Sequence, residues 1–423
     1  MDTKVGIGKI LLGATIIINM FWDILVEYYK YLPHILLLVV LLIYIAEYKT
    51  CYIKPLWVIL LVYILLHGVV NSKLGNDRII YMLLQTAVIA VNYLVYSNVL
   101  RNISINQIMS VYWKSAYVMG WIAVCQEIFG IMGFANDCTI PVIRWFLNYF
   151  GAMTGRLVRV KGICQESSFL GYYLAPAMCI CLFYVVKKYM LPEEFKKVVK
   201  KKHIIIIMLA YLFSFSAVAY FGVAVVFLLL LLTENKFSKK VLVIAGICII
   251  SVVVYINIPA IRLRVDDTIA VFRGADLNEV NLSSYTYYMA YTVAKKSLRY
   301  TSFMGAGIGS SATMYDKFSF KGWGGQELIL NAEDANSMLF RIIIEFGVVG
   351  IIVLAIFLKK NFVRKGSTYF VFSLAILTLF SMILLRQGNY THAGFMMYVY
   401  LYNRIAKESN HDKRMEIDKE RQE

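Results

Sequence analysis

The sequence predicts an all-α polytopic membrane protein with about twelve transmembrane helices. Of the 423 residues, 60% are hydrophobic and only 16% are charged, whereas soluble domains usually carry about 25% charged residues. Many apolar residues fall into runs of about 18 to 20, the length with which a helix crosses a bilayer. Short lysine clusters separate these runs, as in cytoplasmic loops. The net charge of +17 therefore indicates membrane topology rather than nucleic-acid binding.

The predicted spans follow from the apolar runs in chain order. With about 20 residues to a span, they fall near residues 5–22, 31–47, 55–70, 79–98, 108–134, 168–187, 203–218, 219–233, 241–258, 338–358, 367–385 and 391–405. The first run lacks a small-residue cleavage site and more spans follow it, so we interpret it as a helix rather than a signal peptide. Residues 203–233 fit either one long helix or a tight pair broken around Ser214, Ser216 and Gly222. The pair keeps the later lysine clusters on the cytoplasmic side, so we expect the pair.

This topology leaves two long outer segments, at about residues 135–167 and 259–337. The second segment joins helices 9 and 10, and connections longer than about 15 residues are usually functional or disordered. Its tyrosines and the apolar stretch 285–293 argue against disorder, so we expect it to be partly helical. Residues 1–406 then form a single transmembrane domain. Residues 407–423 form a charged cytoplasmic tail, and both termini are cytoplasmic.

Both outer segments contain several arginines, which runs against the usual charge bias, although long loops escape that bias. A guanidinium group offers a rigid fork of donors that matches a phosphate group. The candidates are Arg156 and Arg159 in the first segment and Arg262, Arg264 and Arg299 in the second. The alternative interpretation is solvated surface charge.

Two carboxylates precede helices in these segments. Glu166 precedes the sixth helix, where an acidic residue stabilises the helix dipole, and Asp334 lies where a capping residue is expected. The functional interpretation is that one of them accepts a proton from an attacking hydroxyl group. The sequence leaves both interpretations open.

The glycines Gly305, Gly307 and Gly309 form a motif that is similar to a phosphate-binding loop only in spacing. The Lys-Ser/Thr pair of a nucleotide-binding loop is absent after it. We expect a tight turn or a close approach of two backbone segments. Gly347 and Gly350 favour close helix packing.

Taken together, several short motifs resemble the O-antigen ligase and O-antigen or capsule polymerase families. The motifs are Arg159-Val-Lys-Gly162, Glu166-Ser-Ser, Gly305-Ala-Gly-Ile-Gly309, Asn336-Ser337 and Glu345-Phe-Gly-Val-Val-Gly350. The chain departs from that pattern at three places. Asn336 stands where the ligases have a histidine, Ser284 and Tyr285 stand where an arginine is common, and Ser216-Ala217 stands where a Ser-Arg pair is usual. The missing histidine favours the polymerase branch.

The resemblance implies a metal-independent glycosyltransferase without a cofactor at the outer face of the bacterial cytoplasmic membrane. Such an enzyme joins undecaprenyl-pyrophosphate-linked repeat units into O-antigen, capsular or exopolysaccharide. The resemblance then implies that Arg156, Arg159, Arg262, Arg264 and Arg299 bind pyrophosphate, with Glu166 or Asp334 as the base. Expected partners are the lipid-linked donor and acceptor, the bilayer, a chain-length regulator and a flippase, with no nucleic acid.

Three alternatives stay open: a ligase that moves finished glycan to another acceptor, a flippase for the same lipid-linked oligosaccharides, and a non-catalytic scaffold. The long outer segment favours an enzyme over a transporter. His34, His67 and His392 are each interpreted as packed histidines. Arg386 and Asn389 lie at an outer helix end, where charges often mark function. A disulfide between Cys138 and Cys164 is not decided by the sequence.

Overall fold

The computed structural model describes residues 2–71, 79–132, 151–154, 157–233, 237–257, 259–274, 280–320 and 329–420. Within these ranges the protein is helical apart from one two-stranded sheet. Helices α1 to α6 span Asp2–Met20, Trp22–Tyr28, Leu32–Tyr48, Pro55–Asn71, Ile79–Val99 and Ile105–Ile131. Strands β1 (Gly151–Thr154) and β2 (Leu157–Arg159) pair in antiparallel orientation.

The helices continue after the sheet. Helices α7 to α11 span Ser167–Lys187, Glu193–Lys196, Lys201–Phe213, Ala217–Thr233 and Phe237–Asn257. Helices α12 to α17 span Pro259–Phe272, Leu282–Tyr300, Ser311–Phe318, Met338–Lys360, Phe370–Arg386 and Phe395–Glu420. Two 3₁₀ turns lie at Lys188–Met190 and His392–Gly394.

Each predicted span coincides with a helix, so the all-α prediction is confirmed. By length and composition, three described helices can cross a membrane: α5, α7 and α15. Helices α1 and α2 add a fourth if their 68° bend lies within one span, and α3, α4, α10 and α16 are shorter apolar helices. The coarser prediction of a helical protein with membrane-spanning helices therefore holds, while the number of twelve crossings stays a prediction.

Residues 203–233 form a pair of helices, α9 and α10, as the charge pattern predicted. The break at Ser214–Ser216 has a local cause. The Ser214 hydroxyl donates to the Tyr211 carbonyl at 2.7 Å, and Phe215 adopts a positive φ of 40°. A side-chain bond to the backbone and a left-handed residue both end a helix.

Helix α7 lies at the centre of the helical bundle, packed against α6, α9, α10 and α16. In its apolar window 78% of the residues are buried, against 17% for α15, which exposes its apolar surface. The described part of the segment 259–337 contains helices α12 to α14 joined by turns, so the prediction of a partly helical segment holds. Helices α12 to α14 pack with the start of α15 around a second apolar cluster that includes Tyr285, Met289 and Tyr315.

Candidate functional site

A cavity of about 750 Å³ lies where helices α12 and α13 meet the ends of α7, α10 and α16. Its described polar lining includes two acidic and three basic side chains, Glu166, Asp334, Arg159, Lys161 and Arg386. The first residues of α7, α10 and α13 also border it. Helix N-termini carry a partial positive charge and unpaired N–H groups, which favour an anion. The cavity is therefore suited to an anionic ligand.

The cavity lining also contains apolar side chains. Val218 and Phe221 come from α10, Leu282 from α13 and Leu385 from α16. Charged and apolar side chains around one cavity between bundle helices fit an amphiphilic ligand with a charged head group.

The loop between β2 and α7 is fixed by two side chains of α6. Gln126 accepts from the backbone N–H groups of Lys161 and Gly162 at 3.2 and 2.8 Å and donates to the Gly162 carbonyl at 2.7 Å. Glu127 accepts from the N–H of Val158 at 3.3 Å. Gly162 has a φ of 62°, which favours glycine. These contacts fix the backbone on both sides of Arg159, and no sequence pattern predicted them.

Lys161 lines the cavity although little of its surface is exposed. Burial lowers the pKa of its ammonium group to about 8, and Asp23 and Glu27 act in the opposite direction. A buried ammonium group loses charge more readily because the low-dielectric interior disfavours the charged form. Lys161 is thus a cation near neutral pH that becomes neutral under mildly alkaline conditions.

Glu166 is the residue before α7, and its side chain makes no capping bond to the helix backbone. It accepts instead from the Ser168 hydroxyl at 3.0 Å and lines the cavity while remaining exposed. Glu166 therefore does not cap the helix through a hydrogen bond, and its position before α7 stays consistent with both the dipole effect and a functional role.

Asp334 lies in a turn that precedes α15. Its carboxylate accepts from the N–H of Asn336 at 2.9 Å, and Ala335 and Asn336 both have positive φ. The Ser337 hydroxyl caps α15 at Phe340, so capping falls to Ser337 and not to Asp334. Burial raises the pKa of Asp334. Asp334 is therefore a stronger base than an ordinary aspartate and lines the cavity.

Arg386, the last residue of α16, brings a guanidinium group to the cavity from a distant part of the chain. Its guanidinium carbon lies 5.5 Å from the centre of the Tyr287 ring, another cavity residue. Arg386 was identified in the sequence as a charge at a helix end, but the residues that surround its side chain were not predictable.

The five arginines predicted to bind an anion have different positions. Arg159 lines the cavity. Arg262 on α12 and Arg299 in the last turn of α13 are exposed, and neither belongs to the described cavity lining. Arg264 lies on α12, but its side chain is outside the described part. Arg156 lies outside the described residues.

The glycine motif Gly305–Gly309 forms a structural contact with α15. Ala306 and Gly307 donate to the carbonyls of Ile344 and Glu345 at 2.9 and 2.8 Å. At that point α15 is kinked at Gly347, which has a φ of 59°. A Cβ atom on Gly347 would lie 2.1 Å from the Phe303 carbonyl oxygen. The Gly305–Gly309 turn and the kink at Gly347 therefore form the two sides of one backbone contact. This agrees with the expected close approach of two backbone segments.

A buried charged pair supports this contact. Arg341 donates to Glu345 at 3.0 Å, and both residues are at most 2% exposed. Glu345 also accepts from Gly309 N at 3.0 Å and from the Tyr390 hydroxyl at 2.7 Å. Arg341 reaches the Gly388 carbonyl at 2.9 Å. The pair thus joins the glycine turn to the segment after α16.

Cys164 is a buried, free cysteine, and burial raises the pKa of its thiol, with the Asp23 carboxylate acting in the same direction. Cys138, the other half of the disulfide that the sequence left open, lies outside the described residues. Within the described ranges no group of three or more His, Cys, Asp and Glu side chains is arranged to hold a metal ion.

Comparisons of the chain with protein-family models, with curated proteins and with solved structures return no match. The proposal for function therefore rests on the cavity and on the motif resemblance.

Proposed function

We propose that this protein is a glycosyltransferase of the bacterial cytoplasmic membrane that polymerises oligosaccharide repeat units linked to undecaprenyl pyrophosphate. The observation that carries the proposal is one cavity that combines three basic side chains, two carboxylates, three helix N-termini and several apolar side chains. A lipid pyrophosphate likewise combines an anion with a hydrocarbon chain. The sugar attached to it would lie between the cations and the carboxylates.

The reaction is a glycosyl transfer. A sugar hydroxyl of the acceptor attacks the anomeric carbon of the donor, the bond from that carbon to the pyrophosphate oxygen breaks, and the pyrophosphate leaves with the bonding electrons. Cations already in place stabilise the charge that develops on the leaving oxygen. In this proposal Arg159, Lys161 and Arg386 have that role.

The hydroxyl proton passes to a carboxylate. Asp334 suits this role better than Glu166 because burial raises its pKa, and a base is most effective when its pKa approaches the working pH. Glu166 is then placed to orient a cation or the acceptor. Exposed Arg262 and Arg299 are better suited to attract the anionic head group than to contact it in the cavity.

The experiment compares cells that lack this chain with cells that carry variants of it. Arg159→Ala is expected to abolish long glycan and to leave single lipid-linked repeats at the outer face. Lys296→Ala is the matched control, because it removes an exposed cation of α13 outside the described cavity lining and is expected to retain long glycan. Normal polymer in both Arg159→Ala and Arg386→Ala would contradict the proposal.

The same experiment separates the alternatives. In cells without the chain, a polymerase defect gives single repeats outside and no long polymer. Long polymer that remains on its lipid carrier would instead indicate a ligase, and repeats retained at the inner face would indicate a flippase.

A further inference from the structure

A buried carboxylate and a buried imidazole from opposite ends of the chain meet beside the cavity. His392 Nε2 lies 3.1 Å from Asp23 Oδ1, across 369 positions of sequence. The exposed fractions of the two residues are 8% for Asp23 and 7% for His392. Asp23 lies in the first turn of α2, and His392 begins the 3₁₀ turn after α16. Neither residue is among the cavity lining, so the site described above does not account for them.

Asp23 also binds the loop between β2 and α7. Its second oxygen, Oδ2, accepts from the backbone N–H of Gln165 at 3.1 Å, next to the buried Cys164. This loop carries the cavity residues Lys161 and Glu166.

His392 makes the contacts of the pair on the side of α16. It follows the segment that carries Arg386, and its ring packs 4.4 Å from the ring of Phe169, between centroids. Phe169 lines the cavity. The imidazole therefore lies directly behind a cavity wall, in contact with the side chain that forms it.

We propose that Asp23 and His392 form a positioning pair for the candidate site. The pair joins the loop of Lys161 and Glu166 to the segment that follows Arg386, so that cations from two distant parts of the chain face one ligand. Only the identity of that ligand, a lipid pyrophosphate, rests on the proposed function.

The contacts of the β2–α7 loop explain why a buried pair has this role. The β2–α7 loop is held to α6 by Gln126 on one side and to α2 by Asp23 on the other. Of these two contacts, only the one through Asp23 continues to the segment after α16. Small displacements of binding groups matter because the groups of a binding site must be held within about 0.5 Å of the productive geometry.

The test uses the full chain in phosphatidylcholine nanodiscs with undecaprenyl pyrophosphate as the probe. Asp23→Ala removes the hydrogen bonds to Gln165 and His392 and is expected to weaken probe binding by about tenfold or more, because the binding groups are then no longer held within about 0.5 Å. Asp23→Asn keeps an acceptor for the Gln165 N–H and an amide that can face His392, so it is expected to recover most of the affinity. His392→Gln, which keeps a donor for Asp23, is expected to do the same.

His34→Gln is the matched control. His34 packs against Trp22, the neighbour of Asp23, but hydrogen-bonds to Asn92 at 2.9 Å. It is expected to leave probe affinity unchanged.

Amide hydrogen exchange gives a second measurement that does not depend on the ligand. In Asp23→Ala, exchange is expected to rise together in residues 161–168 and 385–391 and to stay unchanged in α11. Unchanged exchange in both segments, or wild-type affinity in Asp23→Ala, overturns the positioning role. If wild-type protein does not bind the probe, the proposed ligand fails, while a joint rise in exchange still supports the pair.

Discussion

At the scale of single residues, Asp334 and Lys161 face the same cavity with pKa shifts in opposite directions and one shared cause. Burial raises the pKa of Asp334 and lowers that of Lys161 to about 8. The low-dielectric surroundings disfavour the carboxylate and the ammonium group alike. The base is thereby strengthened, and the cation becomes sensitive to pH near the physiological range.

Asp334 acts as a base only when it is ionised. Because its pKa is raised above the ordinary value of 3.8, polymerisation is expected to increase with pH through a range above that value and then to level off. The pH dependence of initial polymerisation rate measures this. Asp334→Asn is expected to lower the rate by about 100-fold or more and to remove this acid limb. If the polymerisation rate of Asp334→Asn still rises with pH in the same way, another group is the base.

Lys161 contributes an attraction to anions only while it is charged. Its positive charge is present below pH 8 and is lost as the pH rises through about 8, so the affinity for undecaprenyl pyrophosphate is expected to fall across that range. Lys161→Arg keeps its charge at alkaline pH and is expected to abolish the fall. Lys296→Arg, an exchange at an exposed position of α13, is the control. If the affinity of Lys161→Arg falls as much as that of the wild-type protein, the group that titrates is not Lys161.

The Arg341–Glu345 pair is expected to matter for stability rather than for catalysis. Glu345→Ala leaves a buried guanidinium group without its carboxylate, which costs about 3 to 5 kcal/mol. Thermal unfolding of detergent-purified protein measures the loss. Lys30→Ala is the comparison, because it removes an exposed ion pair with Glu333, worth about 1 kcal/mol or less. Equal losses in the two variants would contradict the assigned role of the buried pair.

At the scale of elements, the kink in α15 and the glycine turn form one unit that orients the start of α15. Ala306 and Gly307 bond to the carbonyls of Ile344 and Glu345 just before the kink, while Asp334 lies in the turn that enters the same helix. Gly388, after α16, approaches Asp334 so closely that a Cβ atom there would lie 1.5 Å from its carbonyl oxygen. The position of Asp334 therefore depends on backbone contacts that only glycine permits.

Gly347→Ala is expected to disrupt this unit. The change forces a side chain onto a φ of 59° and a Cβ atom to 2.1 Å from the Phe303 carbonyl, at a cost of about 1 to 3 kcal/mol for the backbone alone. Gly246→Ala in α11 is the control, because nothing lies within 4 Å of its Cβ, and alanine favours a helix by about 1 kcal/mol. The melting temperature is expected to fall in the first variant and to hold or rise in the second.

The helices were predictable because apolar runs of spanning length report directly on local structure, and the lysine clusters decided the division of residues 203–233. Arg159, Glu166 and Asp334 were predictable as candidates because each lies in a polar segment close to a helix start. The roles of Lys161 and of the Asp23–His392 pair were not predictable from the sequence. They depend on which distant segments fold together, and a single sequence does not specify that.

At the scale of the whole molecule, the proposed topology places the cavity at the outer face and both termini inside. Cys51 is exposed between α3 and α4, a link expected on the cytoplasmic side. A membrane-impermeant maleimide applied to intact cells is therefore expected to leave Cys51 unlabelled and to label Lys296→Cys in the outer segment. Labelling of Cys51 alone would reverse the orientation and contradict the assignment of the outer face.

The central claim is that the cavity catalyses glycosyl transfer from a lipid pyrophosphate. The most direct measurement uses purified protein in nanodiscs with its lipid-linked repeat unit as the sole substrate, and it records glycan length together with free undecaprenyl pyrophosphate. Wild-type protein is expected to release one lipid pyrophosphate for each linkage formed, and Arg159→Ala is expected to release almost none. Elongation without release of lipid pyrophosphate, or equal release by wild-type protein and Arg159→Ala, would contradict it.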